Sequence, residues 1–589
     1  MEISERQQRW RDANALTPEK LAAARLALED IRAGKDVMNT LRQHPLAGGL
    51  TLSKAALVAA YQEMVKSGEI AADGALLERI RMKPVRTLSG VTTVTVLTKP
   101  YPCPGKCIFC PTDVRMPKSY LPDEPGAMRA LEHQFDPYTQ VASRIAALEN
   151  LGHPTDKIEL LILGGTWSAY RRDYQEWFIK RCFDAMNATP LLPSPHFQRS
   201  SAENGGSEGG KVPPPPPSGE PQPDFGGGQA GGWGERCLPG ELTAAQTLNE
   251  TAPHRNVGLV IETRPDEITP KELAWLRYLG VTKVQMGAQS LDDRILEMNK
   301  RGHDVAETRK AVSLLRAAGF KIVLHWMPNL HGATPESDRV DFARLWQGTR
   351  PEERGICPDE IKIYPNQLLA NAELYEVWQR GEFHPYTTEQ LVDLIADIKP
   401  TVPRYCRINR VIRDIPSNNV VEGNKRTSLR QDVHNEMKRR GTKCQCVRCR
   451  EVRSADVDVS ALRLDDLTYA ADSAEEHFIS YITPDNGLAG FIRLSLPDAA
   501  SAPQTGLADL ADAALIREVH VYGQSLPVGA EQGGAAQHIG LGTKLLAEAE
   551  RIARAAGFKR MAVISAIGTR KYYLDRGFER GELYLVKTL

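Results

Sequence analysis

Five short runs rich in β-branched residues, each followed by a helix-like pattern, organise the middle of the chain: VTTVTVLT from Val91, IELLILGG from Ile158, VGLVIETR from Val257, VTKVQMGAQS from Val281 and KIVLHWMP from Lys321. Strands separated by a helix return in the same direction, so the rhythm predicts βαβ units and a parallel (β/α) barrel or sheet. Ligand sites in such barrels lie where the strands end. That rule singles out Glu262 and Arg264, Gln289 and Ser290, and His325, with a structural hydrogen bond as the alternative for each.

A chain of 589 residues exceeds one core, and its composition divides it. Residues 1–88 alternate helical patterns with turns and end in the basic set Arg79, Arg81, Lys83 and Arg86, predicting a small helical domain. Residues 89–398 carry the βα rhythm. It is interrupted at about 190–253 by a low-complexity stretch with five consecutive prolines, Pro213 to Pro217, which is expected to be a disordered surface insertion. Residues 399–457 form a basic cysteine-containing linker in which Lys399 to Arg453 hold fifteen Lys and Arg against five Asp and Glu, and residues 458–589 read as a separate mixed α/β domain. The whole chain is neutral, with 74 basic and 74 acidic residues, so any nucleic-acid footprint must be regional. A charged start and the lack of a long apolar run predict a soluble cytoplasmic protein without a membrane partner.

Six of the ten cysteines fall in two triplets, a clustering typical of metal sites in a reducing compartment. Cys103, Cys107 and Cys110 have the spacing C-x3-C-x2-C just after the first predicted strand. Three thiolates on one loop can bind three irons of a [4Fe-4S] cluster and leave the fourth open, whereas a structural zinc would need a fourth ligand nearby. The spacing, with Phe109 before the last cysteine, resembles the radical S-adenosylmethionine (SAM) superfamily. In that superfamily SAM chelates the open iron and is cleaved to a 5′-deoxyadenosyl radical. Gly164, Gly165 and Thr166 follow the second predicted strand, where the superfamily's glycine motif meets the SAM amino group. The second triplet, Cys444, Cys446 and Cys449, lies in the basic region, and His434 ten residues upstream could complete a tetrahedral zinc site. A second iron–sulfur cluster and unligated thiols are the alternatives.

Near the C-terminus, Gln537, His538, Gly540, Leu541 and Gly542 form a Q-x-x-G-x-G turn before an amphipathic helix. Backbone N–H groups at such a helix start make an anion cradle suited to the pyrophosphate of coenzyme A. The turn resembles the signature of GNAT-type acetyltransferases. The preceding strand IREVHVYG, with Glu518, His520 and Val521, is of the kind that receives the pantetheine arm. Tyr572 and Tyr573 fall where that fold places a tyrosine near the thioester sulfur, one of the two being a packing residue.

Both signatures on one chain, joined by a basic cysteine-containing segment, resemble the catalytic subunit of Elongator and its stand-alone bacterial and archaeal relatives. RMKPVRTLSGVTTVTVLTKPYPCPGKCIFCP, SYLPDEPGAMRALEHQFDPY, GLVIETRPDEI, DEIKIYP and GTKCQCVRCREV carry the likeness. The resemblance implies a partial radical SAM barrel, a C-terminal GNAT-type domain and an N-terminal helical tRNA-binding domain. It further implies formation of 5-carboxymethyluridine at the wobble position of tRNA: acetyl-CoA is bound, the deoxyadenosyl radical takes a hydrogen from the acetyl methyl, and the carbon radical adds to carbon 5 of uracil. Hydrolysis of the thioester then releases the product. The implied partners are the anticodon stem-loop of tRNA and an electron donor, with no DNA, for a stand-alone monomer or a homodimer. Phosphate contacts are expected from Arg79, Arg81, Lys83 and Arg86 and from Lys425, Arg426, Lys438, Arg439, Arg440 and Lys443. A protein lysine acetyltransferase with a structural iron–sulfur cluster and a non-catalytic tRNA-binding module are the competing readings.

Overall fold

Seven parallel strands, hydrogen-bonded in the order in which they occur along the chain, form a curved open sheet: β1 (Thr92–Leu97), β2 (Lys157–Leu163), β3 (Arg255–Thr263), β4 (Lys283–Gln289), β5 (Lys321–Trp326), β6 (Glu360–Ile363) and β7 (Arg407–Val411). The structure is a computed structural model that describes residues 15–83, 87, 90–188, 237–347, 354–452, 457–472, 474–498, 502–522 and 540–589. Among the described residues no helix is long and apolar enough to cross a membrane.

Alternation along each strand sorts side chains between two environments. In β4, Val284, Met286 and Ala288 enter the apolar core under the helices, whereas Lys283, Gln285, Gly287 and Gln289 line the concave face. In β2, Ile158, Leu160 and Ile162 are core, and Glu159, Leu161 and Leu163 line that same face. The partial barrel therefore encloses a polar lumen.

Two expected boundaries move. The barrel does not stop at residue 398, because β7 lies inside the basic segment and pairs with β6 from Glu360↔Arg407 to Ile363↔Val411. Its inward positions are Arg407 and Asn409, and only Ile408 and Val411 join the core, so charge masked the strand pattern. The expected insertion at 190–253 is also too long. Residues 189–236 lie outside the described residues, but Glu241–Asn249 is a helix that buries Leu242 and Ala245 in the barrel core.

Among the described residues, the N-terminal domain forms four α-helices, Pro18–Arg32, Val37–Gln43, Lys54–Lys66 and Gly74–Ile80, around a core of their own. Thr17, Asp36, Ser53 and Asp73 cap them by accepting from backbone N–H groups of the first turn.

A second seven-stranded sheet builds the C-terminal domain from β8 (Arg463–Ala471), β9 (Ala474–Ile482), β10 (Leu488–Pro497), β11 (Ala513–Val521), β12 (Arg560–Val563), β13 (Glu579–Arg580) and β14 (Leu585–Thr588), in the order β13-β14-β12-β11-β10-β9-β8. The domain packs on the end of the barrel where the strands begin. Gly319, just before β5, has no room for a side chain, since a Cβ would lie 2.8 Å from Leu515 Cδ2. One apolar core runs from the barrel into Phe478, Phe491, Ile567 and Tyr584.

Candidate active site

The loop after β1 carries Cys103, Cys107 and Cys110, with Cys107 buried and the other two partly so. It is docked by Ile108 N donating to Asn299 O (3.2 Å) and Leu374 N donating to Ile108 O (2.8 Å), while Ile108 and Phe109 pack with Leu330 and Leu368. Burial, then the neighbouring Cys107, pushes the Cys110 thiol up to about 12 against the pull of Lys118. Three thiolates here need added positive charge, which a metal cluster supplies. Among the described residues, the thiols that all lie within 4.8 Å of one another are Cys444, Cys446 and Cys449, not these three. One tetrahedral zinc would hold its sulfurs about 3.8 Å apart. The wider set suits thiolates bound to separate irons.

Of the two glycines beside the loop, Gly165 borders the cavity and Gly164 does not, its bare backbone being needed to pass Thr98. Gly164 has φ +146° and a Cβ there would fall 1.7 Å from Thr98 Oγ1; Gly165 has φ +89° and lines the cavity. Thr166 Oγ1 lies 3.4 Å from Cys103 Sγ. Glu262 accepts from Tyr120 Oη (2.8 Å) and lies 3.4 Å from His325 Nδ1. Burial, followed by Lys362 and Arg413, holds His325 well below its ordinary value, so the ring is neutral at pH 7. Arg264 Nη1 and Gln289 Oε1 are among the buried polar atoms without a hydrogen-bond partner among the described residues, and both residues line the cavity. Ser290 departs from expectation. It does not line the cavity; its Oγ accepts from Asp292 N (3.2 Å) in the turn after β4.

A cavity of about 820 Å³ runs through the barrel from Cys103, Cys107 and Cys110 to Glu518, His520 and Tyr573 of the C-terminal domain. Its middle is charged: Lys283 bonds Glu159 (2.5 Å) and approaches Glu360 (3.5 Å), while Lys321 bonds Glu360 (2.8 Å) and Glu518. Burial would raise the Glu360 carboxyl, but Lys283 and Lys321 hold it well below its usual range. Of these residues the sequence reading named Glu518 and missed Glu159, Lys283, Lys321 and Glu360. The signal was available, since acidic and basic residues alternating with Val, Ile and Leu are out of place in parallel strands covered on both faces.

In the C-terminal domain β11 pairs with β12 only from Ala513↔Arg560 to Ile516↔Val563, and beyond Ile516 the two strands separate. Glu518 and His520 line the cavity at this opening, and Val521 sits beside them without lining it. Burial drops the His520 imidazole to about 4, and its Nε2 has no partner among the described residues. Gly540, at φ +68°, precedes the helix Leu541–Ala555; Leu541 is buried, and a Cβ on Gly542 would lie 2.6 Å from Tyr572 Oη. Tyr573 packs on Phe578 and lines the cavity, whereas Tyr572 lies over the helix start under Arg576, 3.7 Å from its ring centre. Gln537 and His538 lie outside the described residues.

The second triplet gathers as expected, but without His434. The helix Leu429–Arg439 buries Leu429, Val433 and Met437, and His434 is exposed. Successive helical side chains diverge by about 100°, so inward packing of Val433 turns His434 away from the thiols.

The basic residues separate into two kinds. Arg79 donates to Ile31 O (2.5 Å) and Lys35 O (2.8 Å), and Arg81 donates to Gly152 O (2.8 Å), tying the helical domain together and to the barrel. Arg439 pairs with Glu436, Arg440 with Glu436, Asp393 and Asp397, and Arg426 approaches Asp432 at 3.7 Å. Lys83, Lys425, Lys438 and Lys443 are exposed, and no ion pair engages them among the described residues. Arg86 lies outside the described residues.

Comparison with known proteins covers both halves of this site. The family model "Radical SAM superfamily" matches residues 234–345 and "Radical_SAM C-terminal domain" matches residues 358–439. The tRNA uridine(34) acetyltransferase of Dehalococcoides mccartyi is 39% identical over 511 residues, covering 86% of this chain and 99% of that protein. Elongator complex protein 3 of Danio rerio is 33% identical over 536 residues, covering 87% of each. Among solved structures, Elp3 of Methanocaldococcus infernus with an N-terminal deletion superposes with a TM-score of 0.65 at 34% identity, covering 85% of this chain and 100% of that one.

Proposed function

Since this chain belongs to the family of the tRNA uridine(34) acetyltransferases and Elongator complex protein 3, we propose that it forms 5-carboxymethyluridine at the wobble uridine of tRNA from acetyl-CoA. It is a radical SAM acyltransferase. The observation that carries the reading is the single cavity joining the cysteine loop to the open end of β11. Radical formation and acetyl chemistry need a shared, water-poor enclosure, because a carbon radical must meet its target before anything else.

Cys103, Cys107 and Cys110 hold the [4Fe-4S] cluster, which with SAM bound supplies a deoxyadenosyl radical. Gly165 receives the SAM amino group on bare backbone, with Thr166, Glu262, Arg264, Gln289 and His325 around it, and Gly164 supplies the tight turn that presents it. The helix start at Gly540, Leu541 and Gly542, together with Gln537 and His538, binds the pyrophosphate of coenzyme A. The unpaired half of β11 at Glu518, His520 and Val521 takes the pantetheine. Tyr572 orders the helix start, and Tyr573, which faces the cavity, donates a proton to the departing thiolate. His520, neutral and with Nε2 free, takes the proton from the water that opens the thioester. Cys444, Cys446 and Cys449 hold a structural zinc whose fourth ligand is not His434.

Incubating anaerobically reconstituted protein with SAM, acetyl-CoA, a reductant and tRNA, then digesting the tRNA for nucleoside mass analysis, should yield 5-carboxymethyluridine. No change in the wobble uridine refutes the reading, and acetyl-lysine formed without SAM would favour a protein acetyltransferase.

Binding of the anticodon stem-loop rests on Lys425, Lys438 and Lys443, with Lys83 on the helical domain. Reversing two of the three lysines of the basic segment to Glu should lower tRNA affinity at least about tenfold and flatten its salt dependence, since each phosphate contact contributes about 0.7–0.9 to the slope. Acetyl-CoA binding should not change. Unaltered tRNA affinity would move the RNA surface elsewhere.

A further inference from the structure

A buried guanidinium normally has a carboxylate beside it. Arg301, on the loop after the helix Asp293–Met298, does not. It is 6% exposed, and among the described residues no carboxylate ion-pairs with it. Its Nη2 donates to Gly287 O (2.6 Å) and its Nη1 to Cys107 Sγ (3.4 Å), while Nε is buried without a partner. Gly287 leaves the room for this, since a Cβ there would sit 3.0 Å from Nη2. His303 cannot share the charge, because burial and then Arg301 itself lower its imidazole to about 4. Arg264, the neighbouring arginine, is different: its Nε and Nη2 bond Asp266 at 2.8–3.1 Å, so much of its charge is already answered. Among the described residues, Arg301 is thus a buried cation beside the loop that has no carboxylate partner and donates to a thiol of the cysteine set.

We propose that Arg301 tunes the cluster held by Cys103, Cys107 and Cys110, its charge and its N–H to Cys107 Sγ raising the reduction potential so that the cluster accepts an electron from a one-electron donor. Reduction adds one negative charge to the cluster and moves no proton. A fixed positive charge and a hydrogen bond to a ligating sulfur stabilise the reduced form more than the oxidised one. The proposal rests on the cysteine loop carrying the iron–sulfur cluster, and Arg301 is a positioning residue acting through Cys107.

The test is a dithionite titration of the full-length reconstituted protein, read by the EPR signal of the reduced cluster, with iron and sulfide determined on each sample. At the potential where the parent is half reduced, Arg301→Gln should lower the ratio of reduced to oxidised cluster about tenfold, which for one electron is about 59 mV. Arg301→Lys keeps the charge and should lose less. A ratio unchanged in Arg301→Gln at parental iron content overturns the proposal. Should that variant fail to hold iron, the parent labelled with ¹⁵N-arginine decides. Pulsed EPR of its reduced cluster should show an exchangeable guanidinium proton and a ¹⁵N coupling, and their absence overturns the proposal too. A parent that binds no iron refutes the cluster reading itself.

Discussion

Alanine at Cys103, Cys107 or Cys110 is expected to cut reductive SAM cleavage, measured as 5′-deoxyadenosine formed under dithionite, below about one hundredth of the parent rate. Each thiol has its own place on a loop fixed by Asn299 and Leu374, and no other cysteine stands close enough to replace a lost one: Cys182, Cys357 and Cys406 are buried elsewhere in the core. The same variants should leave tRNA affinity within about a factor of two, because Lys425, Lys438 and Lys443 share no partner with the loop and distant sites act independently. Loss of both properties would mean that the loop supports the fold at large. Full cleavage in all three variants would remove the cluster from this loop altogether.

What the sequence made legible follows from range. The cysteine loop, the glycine turn at Gly164 and Gly165, and the start of the helix at Leu541 are local patterns, and each is where the strand rhythm puts it. β7 was hidden because a strand with Arg407, Asn409 and Arg410 reads as a charge run until its lumen is known. The charged residues of the lumen leave a trace in the strand pattern, but their pairing does not. Lys321 meets Glu518 across 197 positions, and Arg517 meets Asp359 across 158, so nothing local announces either pair. His434 failed on geometry: spacing along the chain allowed it near the second triplet, but the inward turn of Val433 on the same helix did not.

The largest stability effect belongs to Asp359, which lies where the two sheets meet. Its carboxylate accepts from Arg517 Nη2 (2.5 Å) and Nη1 (3.0 Å) and from Ile322 N (2.8 Å), and Arg493 Nη1 lies 3.4 Å away. Glu476 answers the rest, at 2.8 Å from Arg517 and 3.7 Å from Arg316. All these side chains are essentially inaccessible to water. Asp359→Asn leaves arginine charge buried without an answer and should cost about 3–5 kcal/mol, read as a lowered urea midpoint. Replacing the pair together, as Asp359→Asn with Arg517→Met, should recover part of that loss, because what is expensive is the orphaned cation. The pH dependence has a definite sign. Desolvation raises the carboxyl, but Arg517 and Arg493 outweigh it and hold it down at about 2. A depressed carboxyl contributes its full stability above the unfolded value near 3.9 and loses it as pH falls toward the folded value. The gap between parent and Asp359→Asn should thus be constant from about pH 8 to pH 5 and narrow only below about pH 4. A loss under about 1 kcal/mol at pH 7, or a gap that closes between pH 8 and pH 6, would show that Asp359 does not join the two sheets in the way these distances require.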